Sequence, residues 1–323
     1  MGLFNSVKKR LTIQLIGVSL EENGCNIQVE RFKKSKMTYS NRKSFSIESK
    51  EVLSKEIINY LNILQSEHEQ TYVVLFLNTL GQGAIPGCDD DIYKKFGIDK
   101  NGVKSVCIDN RFTIYASLID ISWADRVFKK VGLDFIFSPF LILNAYIDKD
   151  NDEKEVKLYI LNTNNGLTIM VKNARKLLYA SFFNVAKEQD LLLEDFENIE
   201  TQSSVDLEEE LFDEFDLDSS EVSDDMQELN DEIDYESNSE YSRLSGKDLR
   251  FVKYLDAALK EFYDNDLYDS QFITKVKIYD DAGMHKDVVK HIENDLLLDT
   301  SAENINLLNM VIKVAKEEVL SYA

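Results

Sequence analysis

Apolar residues in this chain come in short, strand-sized bursts separated by polar turns, with a helical rhythm between some of them. Leu11–Leu20 (LTIQLIGVSL) and Cys25–Lys33 (CNIQVERFK) read as strands. Asn23-Gly24 lies between them, the dipeptide that supplies two positive φ angles to a tight hairpin, so the chain is expected to open with one. A short strand at Ser44–Ile47 follows, and then Leu53, Ile57, Leu61 and Leu64 fall on one face of a helix. Thr71–Leu77 (TYVVLFL) is too short for a helix and apolar on both faces, as a central strand is. The predicted order is three strands, a helix and a strand.

Gly81–Gly87 (GQGAIPG) reads as a loop. An alternating strand pair at Val103–Ile108 and Phe112–Leu118 comes next, then a helix from about Ser122 to Lys130 and a strand at Phe135–Phe137. Ser138-Pro139 opens another helix, with serine as cap and proline at the first helical position. A second sheet starts at Val156–Leu161, turns through Asn165-Gly166 into Leu167–Val171, and continues after Lys172-Asn173 with Leu177–Phe183. Near Gly246 a helix begins whose face is Phe251, Leu255, Ala258, Leu259 and Phe262. A strand at Phe272–Tyr279, a helix at Met284–Glu293 and a closing helix at Ile305–Leu320 complete the chain. The second half therefore repeats the order of the first, interrupted between its third strand and its helix.

Charge explains the interruption. The formal net charge is −22, from 59 acids and 37 Lys plus Arg. From Asp190 to Ser242 there are 22 acids and no Lys or Arg, so 37 acids remain to balance the 37 cations elsewhere. The folded part is neutral, and one segment carries the charge. Like charges at this density repel and bury too little area to offset chain entropy, so residues 189–245 are expected to form a long acidic disordered insertion. A neutral body with an acidic insert lacks the clustered cations that phosphate backbones require, which argues against nucleic acid as a partner. With 323 residues, 44% of them hydrophobic, the chain can fill two cores. It has no run of 18 apolar residues and no secretory leader pattern, so a cytoplasmic location is expected. Cys25, Cys88 and Cys107 are odd in number and widely spaced without a CxxC, which fits a reducing compartment and argues against a zinc site.

The duplicated three-strand, helix, strand plan resembles the actin-like superfamily, and within it the PilM family and the cytoplasmic part of GspL. The local likenesses are the opening MGLFNSVKKRLTIQLIGVSL, the stretch VGLDFIFSPFLILNAYI, and EVKLYILNTNNGLTIMVKNARKLLYASFF, which is similar to a second lobe's opening hairpin. The resemblance implies an α/β, two-lobed actin-like (duplicated RNase H-like) fold. Residues 1–150 would form the first lobe with an inserted subdomain, residues 151–188 the start of the second, and residues 246–323 its remainder.

Active members of the superfamily carry an Asp-x-Gly turn after each lobe's first strand, which cradles phosphates and holds magnesium through water. The corresponding positions here read Gly17-Val18-Ser19 and Asn162-Thr163-Asn164-Asn165-Gly166, without a carboxylate. The late loop, usually glycine-rich, reads Tyr279-Asp280-Asp281-Ala282-Gly283, where two aspartates would repel a nucleotide. No catalytic, cofactor-binding or metal residue is assigned, and an enzyme is not expected. Gly81, Gly83 and Gly87 match no phosphate-loop spacing and read as a plain turn. Asp89, Asp90 and Asp91 lack the calcium-loop spacing and read as a solvated loop. His68, His285 and His291 are too scattered for a cluster, and Trp123 reads as a core anchor.

Leu3, Phe4 and Val7 with Lys8, Lys9 and Arg10 are the candidate membrane or partner contacts. The PilM resemblance implies a non-enzymatic scaffold at the inner face of the cytoplasmic membrane. Such a scaffold grips the cytoplasmic tail of a PilN-like single-pass inner-membrane protein and can assemble into a ring. The machine would be a type IV pilus, a type II secretion-like system, or a flagellar motor that has recruited such a part. An active actin-like ATPase and a soluble acidic adaptor for a basic protein are the alternatives.

Overall fold

A computed structural model describes residues 12–33, 35–147, 155–174, 176–185, 244 and 246–321. The proposed contacts Leu3, Phe4, Val7, Lys8, Lys9 and Arg10, and the acidic insertion 189–245 apart from Leu244, lie outside the described residues.

The first lobe is built on β1 (Thr12–Leu20), β2 (Gly24–Lys33), β3 (Lys36–Ser46), α1 (Lys55–Glu67), β4 (Gln70–Phe76) and β8 (Phe135–Phe137), in the sheet order β3-β2-β1-β4-β8. β1 pairs antiparallel with β2 and parallel with β4. Its central position explains its burial: every residue from Gln14 to Leu20 is buried. α1 starts where Ser54 Oγ accepts the Ile57 N–H at 3.3 Å, and it lays Ile57, Leu61 and Leu64 on one face of this sheet.

The second lobe repeats the plan with β9 (Lys157–Asn162), β10 (Gly166–Lys172), β11 (Leu177–Asn184), α5 (Lys247–Asp264), β12 (Lys275–Asp280), α6 (Lys286–Asp295) and β13 (Asp299–Asn304). The order β11-β10-β9-β12-β13 is the first sheet's order over again. β9 and β10 are buried on both faces, which their near-continuous apolar runs require.

Between β4 and β8 the chain makes a third, three-stranded sheet in the order β5-β7-β6, from β5 (Gln82–Pro86), β6 (Val103–Ile108) and β7 (Phe112–Ser117). α2 (Asp90–Lys95) and α3 (Leu118–Val127) flank it. Gly81–Gly87 is thus mostly strand and not a loop, because Gly83 supplies the space that the Tyr115 ring occupies opposite it; a Cβ there would meet the Tyr115 hydroxyl at 2.4 Å. Asp89–Asp91 is solvated but begins α2 and is not a loop: Asp89 is the N-cap residue, Asp90 pairs with Lys100, and Asp91 pairs with Lys94. Cys88 and Cys107 are disulfide-bonded, with Cα atoms 5.6 Å apart. Cysteine number and spacing gave no sign of this pair: 19 residues of separation along the chain close to bonding distance once β5 and β6 flank β7.

The two remaining helices cross between lobes. α4 (Pro139–Ile147) leaves the first lobe and packs on β9 and β10, while α7 (Leu307–Ser321) leaves the second and packs on β1 and β4. One hydrophobic core therefore runs through both lobes, from Leu15 and Phe76 through Phe140 and Leu143 to Leu161, Met170 and Ile312. Gly17 permits the crossing, for a Cβ at that position would stand 3.1 Å from the Ile312 side chain. The fold is the two-lobed, duplicated α/β architecture of actin-like proteins.

Candidate functional site: the cleft and the first-lobe junction

In this topology the C-terminal ends of β1, β4, β9 and β12 converge on the cleft between the lobes. Gly17-Val18-Ser19 is not a turn, since all three residues pair with β2 and β4 inside β1. The turn comes later, at Glu21–Asn23, and it does carry carboxylates. Neither hairpin uses positive φ at its Asn-Gly pair; each instead closes by a backbone bond across four residues. The Glu21 N–H donates to the Gly24 carbonyl at 2.7 Å, and the Thr163 N–H to the Gly166 carbonyl at 2.9 Å. Thr163 Oγ1 adds a second clasp by accepting the Gly166 N–H at 3.0 Å.

The two turns meet. Glu21 Oε1 accepts from Asn26 Nδ2 at 2.9 Å in its own lobe and from Asn164 Nδ2 at 3.5 Å in the other. Lys247 Nζ donates to Asn164 Oδ1 at 3.1 Å. Asn78, just after β4, lies so close to Gly166 that a Cβ there would be 2.8 Å from its Oδ1.

The aspartate pair at the end of β12 is consumed by the fold. Asp280 is 3% exposed; its Oδ1 accepts from Asn162 Nδ2 at 2.8 Å and from the Ala282 N–H at 3.1 Å, and its Oδ2 from the Met284 N–H at 2.8 Å. Asp281 Oδ1 accepts the Leu307 N–H at 2.8 Å and so caps the start of α7. Burial pushes the Asp281 carboxyl up; the Leu307 N–H and the Arg42 charge pull it down, and Glu21 and Asp280 push it further up. A small pocket beside this pair, between Asn162, Lys247, Phe251 and Met284, holds about 40 Å³. That suits water, whereas ligand pockets run to roughly 300–1,000 Å³. Among the described residues no group of three or more His, Cys, Asp or Glu side chains is arranged to hold a metal.

A second feature lies where the inserted sheet joins the first lobe. Thr79 Oγ1, Gln82 Oε1 and Asp120 Oδ2 are buried there without a hydrogen-bond partner among the described residues. Gln82 is only 6% exposed, and its Nε2 is spent on the Leu77 and Thr79 carbonyls at 3.0 and 2.8 Å. The Asp120 carboxylate stands over Gly81, where a Cβ would fall 2.2 Å from its Oδ2. Around these acceptors Leu80, Leu118 and Ile119 are exposed. Sequence reading missed this cluster, because its members lie in two segments and only the Gly81 contact brings them together.

Other residues singled out in the sequence do local work. His285 caps α6, its Nδ1 accepting the Asp287 N–H at 3.4 Å, and Trp123 Nε1 donates to Glu51 at 3.2 Å while its ring packs against the first-lobe core. Among the described residues no helix is long and apolar enough to cross a membrane.

Residues 158–320 match the family model described as Domain of unknown function (DUF8341). The chain belongs to the DUF8341 family. Residues 12–144 of this DUF8341 chain match a second model, described as Domain of unknown function (DUF8569). No curated protein matches the sequence. Among solved structures, a PilM-PilN type IV pilus biogenesis complex is similar with a TM-score of 0.51 at 10% identity, covering 90% of this chain and 88% of that one. A Bacteroides thetaiotaomicron protein of unknown function with an actin-like ATPase fold aligns over 96% of this chain and 98% of its own, at 11% identity and a TM-score of 0.48. The ethanolamine utilization protein EutJ from Carboxydothermus hydrogenoformans aligns over 90% and 84%, at 10% identity and a TM-score of 0.37. At these identities the likeness is one of fold.

Proposed function

We propose that this chain is a non-enzymatic scaffold of an envelope-spanning machine, held at the inner face of the cytoplasmic membrane by a PilN-like inner-membrane protein. The observation that carries the non-enzymatic reading is the state of the cleft. Its two aspartates already satisfy Asn162 and three backbone N–H groups, so they are committed to holding the end of β12 against β9 and the start of α7 in place. The adjoining pocket of about 40 Å³ is far smaller than a nucleotide.

The partner's place is the junction of Thr79, Gln82 and Asp120. The unpartnered polar atoms are buried, so a ligand that brings N–H groups reaches them once the side chains over them shift, and the exposed Leu80, Leu118 and Ile119 favour apolar side chains beside them. A short peptide tail with a cation or free amine near apolar residues supplies both. The machine would be a type IV pilus, a type II secretion-like system or a flagellar motor that has recruited such a part, and assembly into a ring belongs to the same reading.

Two measurements test this together. Full-length protein recovered from cells in mild detergent is expected to bring down a single-pass membrane protein, and Asp120→Ala with Ile119→Asp is expected to lose it. Millimolar Mg-ATP is expected to leave the melting temperature unchanged, because only a ligand that binds the folded state raises it. A rise of several degrees with hydrolysis would replace the scaffold by an active actin-like ATPase.

A further inference from the structure

Among the described residues the sheet order leaves β3 at an open edge, and ten of its eleven residues are exposed. Its sequence context is one-sided. Between Arg31 and Ile47 there are six cations, Arg31, Lys33, Lys34, Lys36, Arg42 and Lys43, and no acid. Lys316 of α7 adds another at the hairpin tip, where its Nζ donates to the Ser35 carbonyl at 2.9 Å. Some of this charge is engaged: Arg31 pairs with Glu67 and lies 4.4 Å from the Tyr39 ring, and Lys43 pairs with Glu56 at 3.5 Å. Lys36 and Arg42 have no hydrogen bond or ion pair within 4 Å among the described residues, and the Arg42 charge acts at longer range on Asp281. Met37 and Tyr39 are exposed on the same strand, at 53% and 39%.

A long edge strand offers a row of backbone groups to any extended segment. A second copy of β3 is a poor candidate, because like charges opposite one another destabilise a strand pair. The same chain carries the opposite pattern. Residues 190–242 hold 22 acids and no cation, with Leu211, Phe212, Phe215 and Leu217 set among them. The described fold stops at Val185 and resumes at Leu244, both buried against the second lobe.

We propose that residues 190–242 bind along the outer edge of β3 in the same molecule, with carboxylates against Lys36, Arg42 and the cations of the hairpin tip and apolar side chains against Met37 and Tyr39. Tethering favours this over capture from solution, since it holds the segment at an effective concentration on the order of millimolar. The contact is electrostatic and exposed, so salt weakens it: the Debye length falls from about 10 Å at 0.1 M to about 3 Å at 1 M.

Amide hydrogen exchange over residues 36–46 tests the proposal on the full chain and on a variant whose residues 190–242 are replaced by a neutral Gly/Ser linker of equal length. In low salt the full chain is expected to exchange there at least about threefold more slowly than the linker variant, with the difference gone at about 1 M NaCl. The charge reversal Lys36→Glu with Arg42→Glu is expected to remove the difference without the linker. Equal exchange in the two chains at low salt overturns the proposal. Protection that rises with protein concentration overturns it too, by assigning the segment to a neighbouring copy, and protection that needs an added basic protein assigns it to a partner.

Discussion

At the residue scale the cleft shows how polar groups that could serve a ligand are used by the fold. Asp281 is buried enough that its carboxyl sits above its usual range, even with the Leu307 N–H and Arg42 in its favour. A carboxyl raised on folding binds protons more readily in the folded state. Its contribution is therefore fully present below its unfolded value and is lost as pH rises through the folded one. Asp281→Asn removes the titration while keeping a good cap for α7. The expected outcome, read from urea melts across the acid range, is a stability change within about 1 kcal/mol at neutral pH and a flatter pH dependence above the ordinary aspartate range. Cys25 illustrates the same effect in a thiol, which burial, with help from Glu21, pushes up to about 12. Its alkylation is expected only once the first lobe unfolds.

At the element scale, chemistry was legible where a segment makes its own core and illegible where it lies at an edge. α1, β4 and β9 announce themselves through apolar periodicity, since each presents a full face to a neighbour. β3 and β13 do not. Only Ser44–Ile47 signals β3, whose first eight residues are exposed, and β13 (DTSAEN) has a single buried position, Thr300. Their strand state comes from the ladder of β2 and β12 beside them. The disulfide belongs to this scale also. It closes the 88–107 loop around α2 and ties the segment just after β5 to β6 at the other edge of a sheet with only three strands. Chain-entropy arguments assign a loop of this length about 3 kcal/mol. Cys88→Ser is expected to destabilise the inserted sheet by up to that amount in denaturant titrations, and reductant is expected to reproduce the loss in the unsubstituted chain.

At the scale of the whole molecule the lobes are held by exchange. α4 and α7 each complete the other lobe's packing, so separating the lobes would expose Phe140, Leu143, Met310 and Ile312 to water. Gly166 marks a close approach of the two lobes outside that core, with the Asn78 side chain of the other lobe and the Phe182 ring of its own beside it. Gly166→Ala is expected to cost about 1–3 kcal/mol and to enlarge the radius of gyration measured by small-angle scattering. Asn78→Gly in the same chain is expected to restore the compact form in part, because it removes the contact from the other lobe and leaves the one with Phe182.

The sequence by itself determined the duplicated three-strand, helix, strand plan and the confinement of the excess charge to one segment. These follow from local pattern: the period of apolar residues selects the element, and the density of like charge selects what cannot enter a core. Tertiary structure alone decided three things. It brought Cys88 to Cys107, it set Asp280 and Asp281 to work on Asn162 and α7, and it gathered Thr79, Gln82 and Asp120 around Gly81. Each is a meeting of residues separated by other elements. No spacing along the chain encodes such meetings, because sheet order and the crossing of α4 and α7 fix the distances.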